Sequence, residues 1–257
     1  MDKKLINISN VSKKAEEFSV YLSSCVHPDV WFFLKRASAF SEILIFSGVI
    51  RNFFLKDAGK IRDLDIVFNC DEKYLKFLLK GIDYKRNSFG GYKLLIGNLN
   101  IDFWHIDNTW AFQNKKVDNL LFKDQTLANT SFFNFASVVY NLSKKEFIFS
   151  NSFLSFLNDR TLDIVLRDNP LPELCIVNTV YYKTQFNLEV SDRLKKYFVE
   201  YFIRYTEEEY NMIQLKHFNK CVFSYEYLKT YCKIFENDLH TQNTLEATEQ
   251  IKNKCQF

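Results

Sequence analysis

Apolar residues recur at three-to-four spacing in VSKKAEEFSVYLSSC and again in DVWFFLKRASAF, which predicts two helices broken at Pro28-Asp29. The period then shortens. EILIF (42–46) reads as a short apolar strand, Ser47-Gly48 as a turn, and VIRNFFLK as a helix with Val49, Ile50, Phe53 and Phe54 on one face. KDAGKI is a polar loop, RDLDIVFN (62–69) alternates as a strand does, and DEKYLKFLLKGI makes a helix opened by Asp71. Two further strands, GYKLLIG (91–97) and LNIDFWHI (99–106), meet at Gly97-Asn98, a pair that favours a two-residue hairpin turn. A short helical piece follows Thr109. FNFASVVYNLSKKEFIFS (133–150) fits either a strand pair or a helix followed by a strand. From about residue 152 the pattern is mostly helical, with an interruption at Pro170 and Pro172 and with Ser191 as N-cap of DRLKKYFVEYFIRY.

The pattern therefore predicts an α+β chain in three parts: an N-terminal helical extension over 1–40, a mixed α/β part over 41–150 and a helical part over 151–257. At 257 residues, 47% hydrophobic and 25% charged, the composition is that of a globular protein with a sizeable core, and the 27 Phe and 14 Tyr read as its main filling. The net charge of +3 is too small to imply nucleic-acid binding by itself. Its distribution is uneven: residues 205–257 carry six Lys/Arg against eight Asp/Glu, and the rest 28 against 23, a mild bias towards phosphate-bearing ligands in the N-terminal part. Six cysteines show no CxxC pairing and no metal-ligand spacing with the four histidines. With no signal-peptide pattern and no apolar run of membrane-spanning length, reduced thiols, no membrane and a cytoplasmic location are the expectation.

Chemistry enters at RDLDIV. Residues two apart on a strand share a face, so Asp63 and Asp65 point together while Leu64 and Ile66 face the core. Two such carboxylates repel unless a cation lies between them, and a divalent metal ion is the common solution. Asp102, between apolar residues in NIDFWHI, is costly as an isolated carboxylate; if its strand neighbours the first, three carboxylates converge. Paired metal ions held by carboxylates serve phosphoryl and nucleotidyl transfer. Ser47-Gly48 supplies the complementary part, since a helix N-terminus opened by a small residue binds phosphate.

The order strand, Ser-Gly turn, helix, Asp-x-Asp strand, later Asp strand resembles the nucleotidyltransferase superfamily to which DNA polymerase beta belongs. More narrowly it is similar to the head domain of bacterial poly(A) polymerases and class II CCA-adding enzymes, with their Gly-Gly-x-Val-Arg-Asp and Arg/Lys-Asp-x-Asp-[Ile/Leu]-Val patterns. Here these read Ser47-Gly48-Val49-Ile50-Arg51-Asn52 and Arg62-Asp63-Leu64-Asp65-Ile66-Val67. The resemblance covers roughly residues 43 to 200, closest in the first 25. It implies a nucleotidyltransferase-fold mixed sheet flanked by helices over 41–150, followed by a helical neck-like region. It also implies an enzyme that moves an NMP from an NTP to an acceptor hydroxyl with release of pyrophosphate. Asp63, Asp65 and Asp102 would be catalytic and would hold two Mg²⁺ ions; Ser47, Gly48, Arg51 and Arg62 would bind the nucleotide. The implied acceptor is an RNA, a tRNA 3′ end.

The chain departs from the pattern at Asn52, where the family has Asp, at Asn129-Thr130-Ser131, where it has Arg-Arg-Asp, and at Asn178, where it has the arginine of its base-reading helix. Base selection therefore does not carry over. Nucleotidylation of a small molecule or a protein, and a catalytically silent binding module, stand as alternatives. Trp104 and Trp110 read as core or as base-stacking residues, and His105 as a packed histidine. Lys144, Lys145, Lys183, Arg193, Lys195 and Lys196 read as solvated surface or as a path for RNA.

Overall fold

The computed structural model describes residues 6–46, 48–57, 61, 63–87, 89–117 and 122–254, with the backbone alone at 72 and 242–254. Contacts divide the chain into two compact units, Met1–Asp159 with Val165–Asp168, and Arg160–Ile164 with Asn169–Phe257.

The first unit begins with α1 (Ile8–Cys25), opened by a reciprocal cap between Asn7 and Asn10, and α2 (Pro28–Ser38), with Pro28 in its first turn. Then come β1 (Glu42–Phe46), α3 (Gly48–Leu55), β2 (Asp63–Asn69), α4 (Glu72–Leu79), β3 (Tyr84–Arg86), β4 (Tyr92–Ile96) and β5 (Leu99–His105). Two short helices, α5 (Trp110–Gln113) and α6 (Lys123–Leu127), lead to β6 (Val138–Asn141), β7 (Glu146–Phe149) and α7 (Asn151–Asp159). The strands form one mixed sheet in the order β3-β4-β5-β2-β1-β6-β7. Only β2 and β5 pair in parallel; the other pairs are antiparallel.

One face of the sheet is buried along its length. Ile43, Ile45, Leu64, Ile66, Phe68, Ile101 and Phe103 are fully buried, each contributing about 1.5–3 kcal/mol. On this side Phe18 of α1 meets Tyr140 and Phe147 of the β6–β7 hairpin and Phe53 of α3. The other face is split. Leu44, Val67 and Val139 form a core with Ile106, Phe112 and Leu127, and Phe46 and Ile148 pack against it, whereas Asp63, Asp65, Asp102 and Trp104 remain half-buried.

The structure adds four details to the sequence reading. The segment 133–150 is a 3-10 turn at Asn134–Ala136 followed by a strand pair. Strand β3, three exposed residues, carries no pattern the sequence could show. In α3 the buried residues are Val49, Ile50 and Asn52, and Phe53 and Phe54 are half-buried against other aromatic rings. The mixed unit also runs on through α7 to Asp159, one helix past residue 150.

The second unit holds β8 (Thr161–Leu162), α8 (Pro172–Phe186), β9 (Glu189–Val190), α9 (Asp192–Phe202), α10 (Glu207–Phe218) and α11 (Tyr225–Lys254), with β8 and β9 paired in parallel. Among the described residues no helix is long and apolar enough to cross a membrane.

Candidate active site

Two strand registers build the site. The Gly97-Asn98 turn, with both residues at positive φ, fixes the β4–β5 hairpin at Ile96 opposite Leu99, so that Lys93 stands opposite Asp102. The parallel pairing of β2 with β5 puts Asp65 abreast of Asp102 and Asp63 abreast of Asn100. Residues abreast share a face, so the carboxylates of Asp63, Asp65 and Asp102 all lie on the half-open side. Register thus sets the three carboxylates on one face of the sheet.

Strand β1 runs antiparallel to β2 and ends with Phe46 opposite Asp65, so α3 begins at the end of the sheet where Asp63 and Asp65 stand. Among the described residues, a methyl group added at Gly48 would meet only Arg51 Nη2, at 3.6 Å, an ordinary van der Waals distance. Arg51 donates from Nε and Nη2 to Asn52 Oδ1, at 3.2 and 3.0 Å, and lies 5.9 Å from the centre of the Phe135 ring. Asn52 itself is 7% exposed. The amide takes up the arginine as a neutral acceptor where a carboxylate would make a charge-assisted bond. Ser47 and Arg62, both expected in the site, lie outside the described residues.

The Asp102 side chain is 16% exposed and is met by two donors, Asn87 Nδ2 at 3.3 Å and Lys93 Nζ at 3.4 Å. Asn87 is oriented by its own loop, since its Oδ1 accepts from the N–H groups of Phe89 and Gly91, leaving its NH₂ for Asp102. Sequence reading missed both partners. The signal for Lys93 was present, because counting outward from the Gly97-Asn98 turn pairs it with Asp102.

An oxygen-only set of carboxylates suits a hard divalent cation such as Mg²⁺. As the side chains stand, no group of three His, Cys, Asp or Glu among the described residues is close enough to form a ligand cluster. The donors match the ion in kind, and Asp102 is engaged by Lys93 and Asn87.

Around the site, Trp104 packs over Gly91, with Phe46 at 6.1 Å. His105 bonds the carbonyl of Cys70 through Nε2 and caps the 106–108 turn through Nδ1, tying the ends of β5 and β2 together as a packed histidine would. The basic residues are largely engaged within the protein. Lys144 pairs with Glu42 at 2.6 Å, Lys145 with Glu16 at 3.3 Å, Arg193 with Asp163 at 2.6 Å and Lys195 with Asp238 at 2.9 Å, while Lys183 donates to the Leu188 carbonyl. Burial raises the Glu42 carboxyl, but bonds from Lys144, Asn69 and Asn141 outweigh it and hold the group below its ordinary value. This cluster fastens the far end of the sheet.

No family model matches the chain, and no curated protein does. Solved structures do. The chain is similar to the Thermotoga maritima CCA-adding enzyme complexed with tRNA (TM-score 0.60, 14% identity, 85% of this chain and 54% of that one). It is also similar to a CCA-adding enzyme in complex with CTP (0.60, 13%, 85% and 54%). A third match is a tRNA nucleotidyltransferase complexed with a primer tRNA and an incoming ATP analog (0.53, 16%, 71% and 55%). The resemblance read from the sequence thus extends to the fold, an α+β fold of nucleotidyltransferase type. The chain spans about half the length of the solved proteins it matches.

Proposed function

We propose that the chain is a metal-dependent nucleotidyltransferase that moves an NMP from an NTP to an acceptor hydroxyl, the acceptor being an RNA 3′ end, a tRNA. The observation that carries this reading is the parallel register of β2 and β5, which sets Asp65 beside Asp102 at the end of the sheet where α3 opens at Gly48. Likeness of fold to enzymes solved with ATP, CTP and tRNA supports the choice of substrates.

In the reaction the acceptor oxygen attacks the α-phosphorus, a new P–O bond forms, and the bond to the leaving pyrophosphate breaks. The N-terminal amides of α3 and the Arg51 guanidinium bind the β and γ phosphates, and Gly48 permits their close approach; the resemblance adds Ser47 and Arg62 to the nucleotide-binding set. Asp63 and Asp65 would hold Mg²⁺, with Asp102 as the third ligand, and the bound ion would supply neutralisation of the charge on the attacking and leaving oxygens. A carboxylate oxygen of Asp102 takes the proton from the acceptor hydroxyl, and Trp104 gives the half-open face an aromatic wall beside it.

The test is incubation with each α-labelled NTP, Mg²⁺ and total RNA. Label in RNA that disappears in Asp63→Ala and Asp65→Ala supports the reading. Label in the protein or in small molecules alone replaces the acceptor, and no label in any acceptor from folded protein returns the chain to a silent binding module.

A further inference from the structure

One transverse row of side chains crosses the entire sheet of the first unit. In register it reads Lys85, Lys93, Asp102, Asp65, Phe46, Val139, Ile148. Two cations, two carboxylates and three apolar groups thus stand side by side on one face. The apolar end packs into the core around Leu44 and Val67, and the charged end faces outward.

The two lysines are directly opposed, an arrangement that destabilises a strand pair through like-charge repulsion. Lys93 reaches Asp102, and Lys85 makes no ion pair among the described residues. The row is therefore neutral in sum but has both cations on one side of the carboxylates, and the carboxylate needed as third metal ligand and proton acceptor is already occupied by an ammonium group. That occupation is weak. Lys93 is 47% exposed, and a half-exposed pair is readily exchanged. Lysine is also a compact charge on a flexible stem, able to change partners without moving the backbone.

We propose that Lys93 is an exchangeable cation of the site: it neutralises Asp102 while no metal is bound, yields it to the divalent ion, and then turns with Lys85 to the triphosphate of the incoming NTP. This rests on the function proposed above and adds the residues that bind the polyphosphate from the strand side. Lys93 is a positioning residue for Asp102 in the resting site and a phosphate contact in the loaded one.

The two roles move two measurements in opposite directions. Binding of Mn²⁺ in the absence of nucleotide, followed by the electron spin resonance of the free ion, is about two- to fivefold tighter in Lys93→Met than in the wild type, because a competitor is gone. Binding of Mg-ATP, followed calorimetrically, is about three- to tenfold weaker in the same variant. Lys85→Met weakens Mg-ATP binding and leaves Mn²⁺ unchanged, and Lys93→Arg stays near the wild type in both. A purely structural lysine would weaken both measurements together. Mn²⁺ affinity in Lys93→Met equal to or below that of wild type overturns the inference while leaving the proposed function intact. Mn²⁺ binding that is absent from wild type, or unaffected by Asp65→Asn, overturns both.

Discussion

A methyl group at Gly91 would sit 2.1 Å from Trp104 Nε1, so the indole packs directly on the backbone of the residue just before β4. Glycine is scarce in this chain, six in all, and here its lack of a side chain makes room for an aromatic wall beside Asp102. Gly91→Ala is expected to displace the ring and cost about 1–3 kcal/mol, read as a lower urea midpoint followed by tryptophan fluorescence. An unchanged midpoint and spectrum would mean that the indole does not pack there. At this scale the sequence is legible where chemistry is local. Asp63 and Asp65 stand two apart on one strand, and Gly48 opens a helix, so their placement could be read directly. Asn52 could not: an asparagine in an apolar helix looks like its exposed residue, and only the Arg51 guanidinium that it accepts explains its burial. Lys93 and Asn87 belong to the site through pairing across strands and across a loop, which residue types alone do not announce.

Elements show the same division between local and distant causes. The Ser191 cap of α9 was readable, since the residue type and the following charged turn define it. Its partner was not. Asp163, next to β8, accepts from Ser191 Oγ at 2.5 Å and from Arg193 Nε and Nη2 at 3.1 and 2.6 Å, locking β8 to the start of α9. Burial raises the Asp163 carboxyl, but the bonds from Arg193 and Ser191 outweigh it, and the group lies below its ordinary value. A depressed carboxyl stabilises the fold above its unfolded pKa, and that stability is lost as pH falls through the folded pKa. Asp163→Asn should therefore lower stability at pH 7 by about 1–2 kcal/mol, kept small because Arg193 is half-exposed, and should narrow the gap to wild type below about pH 4. Urea midpoints at pH 7 and pH 3 check both parts; a gap that persists undiminished at pH 3 would assign the loss to packing instead. The 133–150 segment resisted reading because all four residues of β6 are buried, which removes the alternation that marks a strand.

At the scale of the molecule, the likeness to the CCA-adding enzymes is one of fold, with a TM-score of 0.60 at 13–14% identity. In this chain the register of β2, β5 and the β4–β5 hairpin is enough to set Asp63, Asp65 and Asp102 on one face of the sheet. Of the basic residues read as solvated surface or as a path for RNA, Lys144, Lys145, Arg193 and Lys195 are paired with Glu42, Glu16, Asp163 and Asp238 at the surface. The central claim is that Asp65 and Asp102, abreast on neighbouring strands, form the centre of nucleotidyl transfer. Its most direct test is the rate of label transfer from α-labelled NTP in Asp65→Asn, a substitution that keeps size while removing the charge and turning one acceptor oxygen into a donor, with circular dichroism confirming the fold. The account predicts a loss of about a thousandfold or more, as expected when electrostatic stabilisation of a transferring phosphoryl group is removed. Transfer at the wild-type rate by folded Asp65→Asn would contradict it.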